Sequence, residues 1–258
     1  QVLGSRGRNN DGMRPEQLQG RFVIFSGGKF ELRKAQDLVV AAFKSFRSAN
    51  PSARALLLFS WDNAWPIRWY TSIGSGSGYT QGVPRERVAG GHDFMEWLGI
   101  NNVSGSESYD LGTVSPAKMA QAMKWADIAV FPNRCEGGTN LVAMEAMASG
   151  VASILSNNTG HMDLINAVCS SDTPASEAGC VALRNQRRLA ATDKGGADPY
   201  EGWGESDVAE IEIAMHFLWK DVEGRRELGK RGARVIRERF SWERYREILA
   251  SEVMKHCK

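Results

Sequence analysis

The chain has 258 residues, of which 42% are hydrophobic and 24% charged, and its formal net charge is +2. This is the composition of an ordinary globular protein, long enough for one large or two small domains. The near balance of charge argues against a nucleic-acid partner, and no apolar run approaches the roughly 20 residues needed to span a bilayer, so we expect no transmembrane segment.

The pattern of apolar residues predicts strands and helices in alternation. Residues 1–20 are polar and rich in Gly, Asn and Arg, which is typical of a linker or an interdomain arm. Residues 21–28 predict a strand, 34–49 a helix and 53–61 a second strand, and such a unit calls for a parallel sheet. The later elements, in groups, are a tryptophan-containing insertion at 62–83, a partly helical stretch at 84–99, strands at 108–114, 127–132, 151–156 and 179–184, helices at 115–126, 139–149, 160–167, 205–220, 222–239 and 241–256, and a loop at 185–204.

About six strands that alternate with helices indicate a doubly wound, Rossmann-like α/β domain over residues 21–240, followed by a C-terminal helix at 241–258. In such sheets, ligands bind at the carboxyl ends of the strands. Two loops lie at such ends: SGGK follows the first strand, and PNRCEGGTN follows the strand DIAVFP. The site is therefore expected where these two loops meet.

The first loop has the residues of an anion site. Gly27 and Gly28 allow backbone N–H groups to approach a ligand closely, and Lys29, Arg33 and Lys34 lie within six residues of one another. A phosphate is the natural partner of such a cluster. The alternative is a solvated helix start, since basic residues are common there.

The second loop opens a helix, and the first N–H groups of a helix attract anions. Within this helix Glu145 stands among apolar neighbours, where a partly buried carboxylate needs donated hydrogen bonds. A phosphate on the N–H groups would leave Glu145 within reach of an attached ribose, whose hydroxyls could supply them. The alternative is that Glu145 pairs with a buried Arg or Lys.

Five stretches, in order, resemble the C-terminal, donor-binding domain of the retaining GT-B-fold glycosyltransferases of family 4 (glycosyl transferases group 1). They are GGKFELRKAQDLVVAAF, LGTVSPAKMAQAMKWADIAVFPN, EGGTNLVAMEAMASGVASI, NTGHMDLI and RFSWERY. The resemblance runs from about Arg21 to Phe240 and implies that the domain is one half of a GT-B fold.

The resemblance also implies roles for individual residues. Lys29 and Lys34 match the family's phosphate-binding arginine and lysine. Glu145 matches the second glutamate of its Glu-x7-Glu motif. Glu136 matches the first glutamate, but the spacing between the two glutamates is one residue longer here than in the motif. Glu136, Lys34 and Lys29 are thus the expected catalytic residues. The expected donor-binding residues are Gly27, Gly28, Lys29, Lys34, Gly137, Gly138, Thr139, Asn140, Leu141 and Glu145.

The function implied is transfer of a sugar from a nucleotide-diphosphate donor to an acceptor hydroxyl, with retention and with no metal or other cofactor. The acceptor would be a saccharide, a lipid-linked saccharide or a small molecule. An N-terminal domain of a parent protein would supply most of its contacts, because only twenty residues precede Arg21. The isolated chain is then expected to bind nucleotide weakly and to be inactive.

Other readings stay open. The chain could be a non-catalytic nucleotide- or partner-binding domain with a degenerate site, or an epimerase or phosphorylase of GT-B architecture. Cys135 and His161 are expected to be structural rather than catalytic. Cys169 and Cys180 could form one bridge, but four thiols in a chain of this length better fit a reducing compartment, so we expect a cytoplasmic protein, either free or at the inner face of a membrane.

Overall fold

The computed structural model describes residues 14–62, 78–86, 92–168, 178–189 and 200–256. Its centre is a parallel sheet of six strands in the order β5-β2-β1-β6-β7-β8, which confirms the predicted doubly wound α/β fold. Two antiparallel pairs, β3 with β4 and β9 with β10, lie apart from this sheet. The strands are β1 (Val23–Lys29), β2 (Leu56–Asp62), β3 (Arg85–Glu86), β4 (His92–Asp93), β5 (Ser108–Asp110), β6 (Ile128–Phe131), β7 (Ala152–Ser156), β8 (Val181–Leu183), β9 (Gln186–Arg188) and β10 (Gly204–Ser206).

The helices follow the predicted alternation. In the described part of the chain they are α1 (Gln36–Ala49), α2 (Phe94–Ile100), α3 (Pro116–Met123), α4 (Leu141–Ala148), α5 (His161–Val168), α6 (Val208–Lys220), α7 (Val222–Arg239) and α8 (Trp242–His256). Ser115 and Ser241 accept hydrogen bonds from the backbone N–H groups of Lys118 and Arg244, as N-caps do. None of these helices is both long enough and apolar enough to cross a membrane.

Apolar side chains form two cores, one on each face of the sheet, because successive residues of a strand point to opposite faces. In β1, Ile24 joins the core built around α1 and α6, whereas Phe25 joins the core beside α4 and α5. All three side chains from Val23 to Phe25 are fully buried, as expected for the central strand of a sheet covered on both sides.

Between β8 and α6 the sequence prediction was wrong. Residues 185–204 were predicted to be a loop, but Gln186–Arg188 forms β9, which pairs with Gly204–Ser206. The β9 sequence QRR has no apolar alternation, so nothing in its pattern indicated a strand. The predicted strand 108–114 is also shorter than expected, because Gly112 adopts a φ of 61° just beyond β5.

Residues 14–20 of the predicted arm pack against the domain. Leu18 is fully buried, and Arg14 forms an ion pair with Asp127 at 3.1 Å. Trp61, at the end of the predicted strand 53–61, lies in the core and donates a hydrogen bond to Ser26 at 3.1 Å. Residues 1–13, most of the insertion, and Cys169 with its possible bridge lie outside the described residues.

Candidate functional site

The two predicted loops are neighbours because β1 and β6 are adjacent and parallel, so both strands end at the same edge of the sheet. Gly27 allows α4 to approach β1 closely. A Cβ atom there would lie 2.9 Å from Val142 Cγ1 and 2.8 Å from the ring of Phe25, which is closer than such carbon atoms pack. The first turn of α4 therefore sits directly over the end of β1.

Gly28 and the turn that follows it place Lys34. Gly28 has a φ of 124°, in the region that favours glycine, and the stem of Lys34 passes within 4 Å of where a Cβ would stand. The Lys34 side chain is only 10% exposed. Burial lowers the pKa of Lys34, while the adjacent Glu136 carboxylate opposes that shift by stabilising the ammonium form.

Glu136 is the acceptor at the centre of the site. Its carboxylate binds Lys34, Arg33 (2.9 Å from Nη1 to Oε2) and the side-chain amide of Asn133, and its side chain is 5% exposed. It is therefore not a solvated loop acid. Arg33 also binds Glu31 at 2.5 Å, and its side chain is 31% exposed, so it is a paired cation that keeps partial contact with solvent.

A buried arginine ties the two loops together. Arg134 is fully buried and donates two hydrogen bonds to Asp37, at 2.8 and 2.7 Å, and a third to Glu205 at 2.8 Å. Burial alone would lower the pKa of Arg134, but the hydrogen bonds and charge of Asp37 and Glu205 raise it. The backbone N–H of Arg134 donates to the carbonyl of Arg33 at 2.7 Å, so the loop of Glu136 is held against the turn of Lys34.

The loop between Glu136 and α4 packs against Gly160 on one side, and several of its backbone N–H groups lack an acceptor among the described residues. The N–H of Gly160 donates to the carbonyl of Glu136 at 3.1 Å, and a Cβ at Gly160 would overlap the carbonyl oxygen of Gly138. Among the described residues, the backbone N–H groups of Gly137, Gly138 and Thr139 have no hydrogen-bond acceptor. These donors, together with the start of α4, form a place where an anion can bind.

Asn140 serves the helix through its side chain. It is 2% exposed; its Oδ1 accepts from the N–H of Ala143 at 3.2 Å, and its amide nitrogen lies 3.0 Å from Nε2 of His161. His161 is fully buried, and burial lowers its pKa to about 4, so it is a neutral, structural residue as expected. Burial also raises the pKa of the Cys135 thiol, which does not favour a nucleophilic role.

The expectation that Glu145 is partly buried was wrong. Glu145 is exposed, as is Leu141 four residues earlier, so the two lie on the same open stripe of α4. Glu145 forms no ion pair with any described residue, which excludes pairing with a buried Arg or Lys in this part of the chain. Lys29 is also exposed and makes no ion pair with the described residues.

The structure thus brings Gly27, Gly28, Lys34 and the loop at 136–140 together, and leaves Lys29 and Glu145 exposed on β1 and α4. Sequence reasoning missed Arg134 and Asn133 as parts of the site. Their only sequence signal was that two polar residues follow Pro132, just beyond the buried strand β6 and at the edge where ligands bind.

One family model matches part of the chain. The family described as Glycosyl transferases group 1 matches residues 87–190, which is less than half of the chain. No curated protein sequence matched.

Solved structures share the fold at low sequence identity. Sucrose-phosphate synthase from Thermosynechococcus elongatus is 20% identical with a TM-score of 0.54, and the match covers 90% of this chain and 46% of that one. A UDP-forming trehalose-phosphate synthase from Burkholderia xenovorans is 13% identical, with a TM-score of 0.63 and coverage of 94% and 46%. Anabaena HepE in complex with UDP is 13% identical, with a TM-score of 0.59 and coverage of 92% and 50%. The chain spans about half the length of these structures and has the fold of the matched half.

Proposed function

We propose that this chain is the donor-binding half of a retaining glycosyltransferase of group 1, family 4, which moves a sugar from a nucleotide diphosphate to an acceptor hydroxyl. The observation that carries the proposal is the set of N–H groups at Gly137, Gly138 and Thr139, beside Lys34 and at the start of α4, for which no described residue supplies an acceptor. Donors of this kind, held on a rigid scaffold, suit the oxygens of a diphosphate.

Each part of the site then has a chemical task. Negative charge grows on the diphosphate as the glycosidic bond breaks, and Lys34, Lys29 and the N–H groups of residues 137–140 stabilise it. Leu141 borders the diphosphate, and Glu145 accepts hydrogen bonds from the ribose hydroxyls, for which its exposure leaves it available.

The acceptor attacks from the face that the diphosphate leaves, and the departing oxygens take its proton, so no protein nucleophile is needed. We propose no metal, because the cations and N–H groups can offset the leaving charge. Glu136 holds Lys34 and Arg33, and in the proposed reaction it also lies near the donor sugar.

The comparisons supply the rest of the proposal. One matched structure contains UDP, and two others are named as synthases of sugar phosphates, which supports a nucleotide-sugar donor. Because the chain spans about half of those proteins, a second domain would complete the cleft and bind the acceptor. The acceptor would be a saccharide, a lipid-linked saccharide or a small molecule, and the compartment would be the cytoplasm, either free or at the inner face of a membrane.

Calorimetric titration with UDP, GDP and ADP tests the proposal. At least one nucleotide is expected to bind, and Lys34→Gln is expected to weaken it at least tenfold because a buried charged contact is lost. Lys124→Gln, an exposed lysine after α3, is the matched control and should bind as the unsubstituted chain does. Equal affinity in the two variants would contradict the role of Lys34 and the proposal with it.

One observation favours a second candidate, a nucleotide-binding or partner-binding domain that has lost catalysis. In the cluster of Arg33, Lys34, Glu31 and Glu136 the positive and negative charges balance, so the cations are already paired. The substitution Glu145→Ala in the full-length parent distinguishes the candidates. A large drop in transferase rate supports the enzyme, whereas an unchanged rate, or a parent with no activity, supports the degenerate domain.

A further inference from the structure

A series of buried hydrogen bonds connects the start of α4 to the centre of the site. The side-chain amide of Asn140 contacts His161 Nε2 at 3.0 Å, and His161 Nδ1 contacts the hydroxyl of Ser156 at 2.9 Å. That hydroxyl contacts the carbonyl of Asn133 at 2.7 Å, and the Asn133 side chain donates to Glu136. These hydrogen bonds therefore link α4, α5 and the ends of β6 and β7.

The protons in this series of hydrogen bonds have only one consistent arrangement. A carbonyl oxygen only accepts, so the single proton of the Ser156 hydroxyl points to Asn133, and the hydroxyl must accept from His161. The imidazole proton is therefore on Nδ1, and Nε2 is an acceptor. Asn140 then turns its NH₂ group to His161 and its Oδ1 to the N–H of Ala143, which is the orientation that caps α4.

A proton on Nε2 would break this arrangement. Nε2–H would face the NH₂ group of Asn140, so the amide would have to turn over to offer its oxygen, and the N–H of Ala143 would lose its acceptor. A second proton on Nε2 would also charge the ring, and full burial of His161 opposes that charge, which lowers its pKa to about 4. A neutral ring with one fixed tautomer thus holds the cap in place.

We propose that His161 is a positioning residue, which holds Asn140 in its capping orientation and so sets the N–H groups of residues 137–140 for the donor diphosphate. This inference rests on the proposed function, because it assigns a purpose to a helix start that the donor would use. It gives His161 a role in ligand affinity through Asn140, with no contact between His161 and the ligand.

Two substitutions separate this role from simple packing. In His161→Gln the side-chain amide reaches the position of Nε2, where its oxygen can accept from Asn140. In His161→Asn the amide reaches the position of Nδ1, where it can donate to Ser156 but leaves Asn140 without its acceptor. Both variants are uncharged at every pH, so they differ in which hydrogen bond they keep.

Titration of the full chain with UDP, GDP and ADP, followed with the tightest of the three, supplies the main readout. His161→Gln should bind within about twofold of the unsubstituted chain, and His161→Asn about tenfold more weakly, because a buried amide is left unpaired. Equal affinity of the two variants, whether normal or weakened, would overturn the inference, since packing alone does not distinguish the two ring positions.

Nuclear magnetic resonance of the ligand-free chain supplies a second readout that does not depend on nucleotide binding. Long-range ¹⁵N–¹H correlations should place the His161 proton on Nδ1 at neutral pH, and the amide signals of residues 137–140 should move in His161→Asn and stay in His161→Gln. A proton on Nε2, or amide signals that move equally, would overturn the inference. If no nucleotide binds, the proposed function fails, but these spectra still show whether His161 holds Asn140 in its capping orientation. If a variant does not fold, the position of the His161 proton in the unsubstituted chain still decides the inference.

Discussion

Replacement of Arg134 by Met is expected to destabilise the fold strongly. Arg134 and Asp37 are both fully buried, and both oxygens of Asp37 accept from the guanidinium, at 2.8 and 2.7 Å. Glu205 would keep Arg187, but Asp37 would become a buried carboxylate without its counter-charge. The stabilising cation disappears while the desolvated anion remains.

The size of the loss follows from that asymmetry. Removal of one partner of a buried pair costs about 3–5 kcal/mol, against a total of about 5–15 kcal/mol for a typical protein. The control is Arg187→Met, which breaks an ion pair to the same Glu205 from a side chain that is 73% exposed. Glu205 is itself buried, but in this control it keeps Arg134, and the lost partner Arg187 is solvated, so the control should cost no more than about 1 kcal/mol.

Urea unfolding at pH 7, followed by circular dichroism, measures both variants together with the double substitution Arg134→Met and Asp37→Leu. With a slope of about 3 kcal/mol per molar urea, Arg134→Met should lower the midpoint by roughly 1–2 M. The double variant has no unpaired charge and should recover at least half of that loss. A double variant that is no more stable than Arg134→Met would refute the reasoning, because the unpaired Asp37 would then not be the cause.

Three further predictions concern pH, packing and the nucleoside. Because the pKa of His161 falls from 6.5 to about 4 on folding, the unfolded chain binds more protons than the folded chain between these pH values. Relative to His161→Gln, the unsubstituted chain should therefore lose about 3 kcal/mol of unfolding free energy from pH 7.5 to pH 4, measured by urea titration. A difference in unfolding free energy between the two proteins that stays constant with pH would contradict this. Gly160→Ala should destabilise by about 1–3 kcal/mol in thermal unfolding, because its Cβ overlaps the carbonyl of Gly138, whereas Gly137→Ala has open space and should cost less than about 1 kcal/mol; equal losses would count against the packing described. Glu145→Gln should leave stability unchanged and weaken nucleoside diphosphates about tenfold without changing affinity for inorganic pyrophosphate, and an equal effect on both ligands in calorimetry would exclude a ribose contact.

The sheet and the two loops were predictable because their signals are local. Apolar runs with alternating periods indicated the strands and helices, and the glycine pair at Gly27 and Gly28 marked the loop at the end of β1, although the close neighbour of Gly27 in the structure is α4. The ion cluster was not predictable in the same way. Arg134 and Asp37 lie 97 positions apart in sequence, and nothing near either residue reveals the other.

The exposure of Glu145 was missed for a different reason. A helix that is apolar all round predicts burial all round, and on that basis a carboxylate within α4 had to be partly buried. In the structure, Leu141 is 65% exposed and Glu145 shares its stripe, so one side of this eight-residue helix is open. The apolar pattern gave the correct helix but not which side remains uncovered.

A crystal structure of the chain with a bound nucleoside diphosphate tests the central claim most directly. The account predicts a diphosphate within hydrogen-bond distance of the N–H groups of residues 137–139 and of Lys34 Nζ, with the ribose hydroxyls on Glu145. A nucleotide bound elsewhere, or one that leaves these N–H groups and Lys34 without contact, would contradict the account.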